Sequence, residues 1–157
     1  MTSIVPFDDI SKKLDTIDLS KLKAYTHKLA DIEEAINKNL APSMMRDFIV
    51  AQDVASVMLA RAVQAEMMAK SAIEIAEAIA LLDKSDAFFN ARKQKPTSDL
   101  RSAFVALDPD VVAAKNVHAR ATAMVSLLKN KVYEFKSALD SVRQISKDTQ
   151  MTQWEGM

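Results

Sequence analysis

The chain has 157 residues, 21 Lys and Arg against 21 Asp and Glu, 49% hydrophobic residues, no cysteine and one glycine. This composition excludes a disordered tail, a globally basic nucleic-acid binder, disulfides and thiolate chemistry. The one glycine, Gly156, sits beside the C-terminus, which removes glycine-dependent phosphate loops, dinucleotide fingerprints and nucleophile elbows and disfavours tight hairpins.

An all-α, non-enzymatic protein is therefore expected. The start, MTSIVPFDDI, has no basic segment followed by a long apolar core, so it does not read as a signal peptide. Residues 1–18 read as an N-terminal arm with a helical turn or two over Asp8–Leu14, 19–147 as a single all-helical domain, and 148–157 as a flexible tail. Asp18 can cap a first main helix, whose apolar positions Leu22, Tyr25, Leu29, Ile32, Ile36 and Leu40 recur every three or four residues. Ala41-Pro42-Ser43 is expected to break that run, with Ser43 as the next N-cap. A long helix follows, from Met44 to about Phe89, roughly 65 Å at 1.5 Å per residue. One heptad seam through it reads Met44, Phe48, Ala51, Ala55, Met58, Ala62, Ala65, Ala69, Ala72, Ala76, Ile79. Arg61, Glu66, Lys70, Glu74 and Glu77 interrupt it, so a membrane-spanning role is not expected. A polar, basic stretch Asn90–Asp99 leads to a short amphipathic turn, Leu100–Leu107. Asp108-Pro109 then opens the last helix as an N-cap followed by proline. Its seam, Ala121, Val125, Leu128, Val132, Phe135, Leu139 and Val142, holds spacings of four and three throughout. Long helices with wide apolar stripes in a helical-hairpin or coiled-coil arrangement cannot cover one another completely. Self-association is expected, with Val125, Leu128, Val132, Phe135, Leu139 and Val142 as oligomerisation residues.

The candidate chemical sites each have a plainer explanation. His27 and His118 lack partners at metal-ligand spacing and read as packed or interface residues. Glu74 and Glu77 share a face, but the bundle di-metal pattern needs Glu-x-x-His, which is absent. Asp108-x-Asp110 is explained as acid in a first helical turn. No metal, cofactor or catalytic constellation is expected. The methionines at helical spacing read as adaptable core filler, and Trp154 as either a docking anchor or an exposed terminal residue.

One segment stands out: Phe88-Phe89-Asn90-Ala91-Arg92-Lys93-Gln94-Lys95-Pro96. Paired aromatics end the long helix and three bases follow without an acid, the combination that single-stranded nucleic acid asks for. The simpler alternative makes the aromatics core residues and the bases a solvated loop. Over Lys84–Lys131 nine bases face four acids, whereas Phe7–Glu34 carries seven acids and five bases.

In this segment the chain resembles the UvsY family, recombination mediators of tailed phages. The residues that carry the likeness are Phe88-Phe89-Asn90-Ala91-Arg92, then Asp99-Leu100-Arg101-Ser102-Ala103-Phe104-Val105, then Asp108-Pro109-Asp110-Val111, with Ile17-Asp18-Leu19-Ser20-Lys21-Leu22 earlier. The resemblance implies an all-helical subunit that forms a ring through its C-terminal helix and binds single-stranded DNA. It also implies contact with a RecA-like recombinase and a single-strand-binding protein, a role in DNA recombination and repair without catalysis, and a cytoplasmic location (the host's, if phage-encoded). The family places its DNA-contacting bases just before the aromatics, where this chain has Lys84 between Asp83 and Ser85. The expected DNA-binding set is Lys84, Phe88, Phe89, Arg92, Lys93, Lys95 and Arg101. The alternative from the residues alone is a coiled-coil scaffold, assembly chaperone or inhibitor without nucleic-acid binding. An amphipathic lipid-surface protein is disfavoured, because the longest helix lacks a clean basic face.

Overall fold

A computed structural model describes residues 7–37 and 39–155. Among them there is no strand, and the order is α1 (Phe7–Asp15), α2 (Ser20–Lys28), α3 (Ile32–Asn37), α4 (Ala41–Ile79), a π-helical turn (Ala80–Lys84), α5 (Ser85–Ala91), α6 (Ser98–Leu107) and α7 (Pro109–Glu155). The chain packs as two compact units. One comprises the N-terminal residues through Thr16 with Arg61–Val125, the other Ile17–Ala60 with Ser126 to the C-terminus. The long helices α4 and α7 contribute residues to both.

In the first unit Phe7–Asp15 of the expected arm form a docked helix, α1, and residues 1–6 of that arm lie outside the described residues. Ile10 and Leu14 of α1 are buried, Lys13 Nζ donates to Met68 Sδ (3.3 Å), and Asp15 pairs with Arg120. The small seam of α4, Ala62, Ala65, Ala69, Ala72 and Ala76, is buried in register. The register then slips by one. Ala80 takes the buried place instead of Ile79, and after the π turn Ser85 and Phe89 follow. A step of five residues stays on one face only because the turn carries an extra residue, with the Ser85 N–H bonded back to the Ala80 carbonyl. Val111, Ala114, Ala121 and Val125 of α7 are also buried.

In the second unit Phe135 lies against two rings, Tyr25 edge-on at 6.5 Å and Phe48 at 6.4 Å. Leu22, Ile36, Met44, Leu128, Leu139 and Val142 are buried as well. The first main helix is in fact two. Leu29, Ala30 and Asp31 donate three residues back to the Thr26, His27 and Lys28 carbonyls, tightening the end of α2. The boundary is marked electrostatically, with His27 and Lys28 in the last turn of α2 and Glu33 and Glu34 in the first turn of α3. Pro42 does not break a helix; it sits in the first turn of α4, where its missing N–H leaves no bond unmade. Ser43 is thus inside α4 and caps nothing. The chain reverses earlier, at Asn39, which has φ 58°.

The oligomerisation residues read from the sequence are used within the chain. Val125, Leu128, Phe135, Leu139 and Val142 are buried in it and Val132 is half-buried, so contact between chains through them would require the core to open. α7 also continues helically to Glu155 where a flexible tail is expected from 148. The side chain of Trp154 lies outside the described residues. By length and composition alone, one stretch within the helical run Ala41–Ala91 is apolar enough to cross a membrane (mean hydropathy 1.3, 33% buried within the chain).

Candidate nucleic-acid interface

The basic segment begins where α5 ends. Lys93 N–H bonds to the Asn90 carbonyl and Gln94 N–H to the Phe89 carbonyl, both 3.1 Å, and Lys93 turns to φ 51°. This pattern closes a helix while satisfying its last carbonyls. Pro96 disfavours a helical Lys95, and Thr97 starts α6 by accepting the Leu100 N–H on its hydroxyl (3.3 Å).

The side chains sort into two groups. Arg92 lies with its guanidinium carbon 3.6 Å from the centre of the Phe88 ring, a cation–π contact with a planar cation. Phe88 is 36% exposed and is backed by Phe104 at 4.9 Å and Phe89 at 5.2 Å. Arg92, Lys93 and Lys95 are exposed. These four residues form a cationic surface with one accessible ring.

The other expected contacts have partners within the chain. Phe89 is 5% exposed, and a ring that deep offers no face to a base. Arg101 pairs with Asp86 at 3.1 Å. Lys84 is engaged at the start of α7: its Nζ donates to Asp108 Oδ1 (3.0 Å) and Oδ2 (2.9 Å) and to Asp110 Oδ2 (2.7 Å). The π turn brings Lys84 beside the start of α7, with Asp108 5% exposed. Hydrogen bonds to Asp108 and then Asp110 raise the Lys84 pKa above the ordinary lysine value, against its own burial. Burial pushes the Asp108 carboxyl up, but the hydrogen bonds from Lys84 and from the Asp110 and Val111 amides outweigh it and hold the group below the usual carboxylate range. Glu77, once a candidate ligand beside Glu74, pairs with Lys115 at 3.0 Å.

Sequence reasoning missed this lysine–aspartate cluster because its members lie 24 and 26 residues apart. It also missed a shallow groove of about 400 Å³ along the end of α4, the π turn and α6, lined by Ala78, Leu81, Ser102, Val105 and Ala106 and by the paired Glu77 and Lys115. Comparison with family models, curated proteins and solved structures finds no match to the chain.

Proposed function

We propose that this chain is a non-enzymatic, single-strand-DNA-binding protein of the recombination-mediator kind, acting in the cytoplasm without a membrane partner. The observation that carries the DNA role is the Arg92 guanidinium stacked on a half-exposed Phe88 at the head of an acid-free basic loop. Unpaired bases stack on such planar groups, and neighbouring cations take the phosphates. The contact set is Phe88, Arg92, Lys93 and Lys95. The resemblance to the UvsY family supplies the rest: self-association, a RecA-like recombinase and a single-strand-binding protein as partners, and loading of the former where the latter sits. Three cations bind few phosphates, so useful affinity rests on several copies acting together.

The test is fluorescence anisotropy of a labelled poly-dT oligonucleotide at low and near-physiological salt, with mass measured by light scattering on the same sample. Salt-sensitive binding by a multi-subunit species is expected, and alanine at Arg92, Lys93 and Lys95 together should abolish it while leaving the mass unchanged. Unchanged affinity in the triple variant overturns the DNA role. A second reading, a scaffold or inhibitor acting on protein, is favoured by the shallow groove along the end of α4, the π turn and α6 and by exposed Leu82 and Leu107. It predicts an oligomer with no affinity for poly-dT at any salt.

A further inference from the structure

Two helices in this chain end in the same way. α3 closes with the Asn39 N–H on the Ile36 carbonyl (3.0 Å) and the Leu40 N–H on the Ala35 carbonyl (2.8 Å). α5 closes with the corresponding pair from Lys93 and Gln94, both 3.1 Å. Each ending requires its first residue past the cap to be left-handed, and Asn39 (φ 58°) and Lys93 (φ 51°) are the only non-glycine residues at positive φ among those described. Glycine takes this conformation freely and asparagine tolerates it, whereas a long side chain meets the clash between its Cβ and the carbonyl. α3 uses a tolerated residue. α5 uses lysine, and nothing in the helix ending calls for one.

What lysine adds is a cation. The C-terminal carbonyls of α5 attract positive charge, and Arg92 and Lys93 both follow the last residue of that helix. Lys93 is exposed, no acid stands between Asp86 and Asp99, and no carboxylate among the described residues pairs with it. Its neighbour Arg92 holds the stacking position on Phe88.

We propose that Lys93 is a phosphate-binding residue, its left-handed turn setting a cation beside the Arg92–Phe88 stack. The left-handed turn itself closes α5, and a non-glycine residue held in that conformation is the kind of backbone outlier that clusters at functional sites. The inference rests on the DNA role proposed above. It deepens that role by assigning the loop two tasks, with the base at Arg92 and Phe88 and the phosphate at Lys93.

The experiment uses the full chain with Lys93→Gly, Lys93→Asn and Lys93→Arg, and with Arg92→Ala as the check on the site itself. Thermal unfolding and poly-dT binding across a salt series are measured on each. The glycine and asparagine variants should melt higher than the parent. They should bind about tenfold more weakly in low salt, and the slope of log affinity against log salt should shrink by about 0.7, the share of one phosphate on a single strand. Lys93→Arg should keep both affinity and slope. If the glycine and asparagine variants keep the parental slope while Arg92→Ala loses binding, Lys93 serves only the helix end and the proposal falls while the DNA role stands. If their melting temperature does not rise, the position is not strained and the proposal also falls. If Arg92→Ala binds as the parent does, the site itself is wrong.

Discussion

One carboxylate, that of Asp108, holds together two segments distant in sequence. Its Oδ1 accepts the Asp110 N–H at 3.0 Å and the Val111 N–H at 3.4 Å, capping α7, while both oxygens receive the Lys84 ammonium. Because its folded pKa lies below the ordinary value, its contribution is complete above about pH 4 and is lost as pH falls through the depressed folded value. Lys84 has the opposite sign: its contribution is complete below about pH 10 and is lost only as pH rises through its raised folded value. Asp108→Ala should therefore lower stability by about 1–2 kcal/mol at pH 7, chiefly through the lost cap. The lysine side chain is 36% exposed and its pairing is screened, so it adds little more. The gap between the urea midpoints of parent and variant should narrow as the pH falls below about 4, and a constant gap would contradict the lowered Asp108 pKa. Ser85 poses the reverse case. Its Oγ is buried with no hydrogen-bond partner, so Ser85→Ala removes an unsatisfied group and should raise stability by about 1 kcal/mol. A fall in the urea midpoint would show that the hydroxyl has a partner.

At the level of elements, the alanine seam of α4 was legible because it repeats at four and three over many turns, and every alanine read on it is buried. Alanine there lets neighbouring backbones approach closely, so a larger side chain has no room. Ala65→Leu or Ala69→Leu should cost about 1–3 kcal/mol by overpacking, read as a lower denaturant midpoint. The slip at Ala80 was not legible, since nothing local distinguishes a π turn from an α turn in Ala80–Lys84. It follows from what the downstream residues must reach. The turn yields a sharper test. Deleting exposed Leu82 restores i,i+4 spacing between Ala80 and Ser85 and keeps Ser85 and Phe89 inward, so melting should change little. Adding an alanine there rotates both outward by about 100° and should lower the melting temperature strongly. The division of the first main helix did leave a signal: base in the last turn of α2 and acid in the first turn of α3. An unbroken apolar period concealed it.

For the molecule as a whole, the helical class and both long seams came directly from hydropathy, and the basic loop from its composition. Periodicity shows that a face is covered but not by what. That is why Val125, Leu128, Phe135, Leu139 and Val142 read as an interface between chains although they are buried within one. Leu128→Ala should accordingly destabilise the folded subunit itself by about 2–5 kcal/mol, measured by urea unfolding. If it instead lowers the mass in light scattering without changing subunit stability, these residues do join chains. The same limit applied to the candidate site. Composition picked out the basic loop and its aromatics and the family resemblance added Lys84, but only tertiary contacts separated Lys84, Phe89 and Arg101 from the four that face solvent. The π turn has a further consequence in time. Hydrogen bonds reaching back five residues are a weak link in a helical run, and the turn ends beside a buried hydroxyl without a partner. Amide hydrogens around Lys84 and Ser85 should exchange with solvent sooner than those of the alanine-lined helix before them, so that the segment bearing the basic loop opens as a unit of its own.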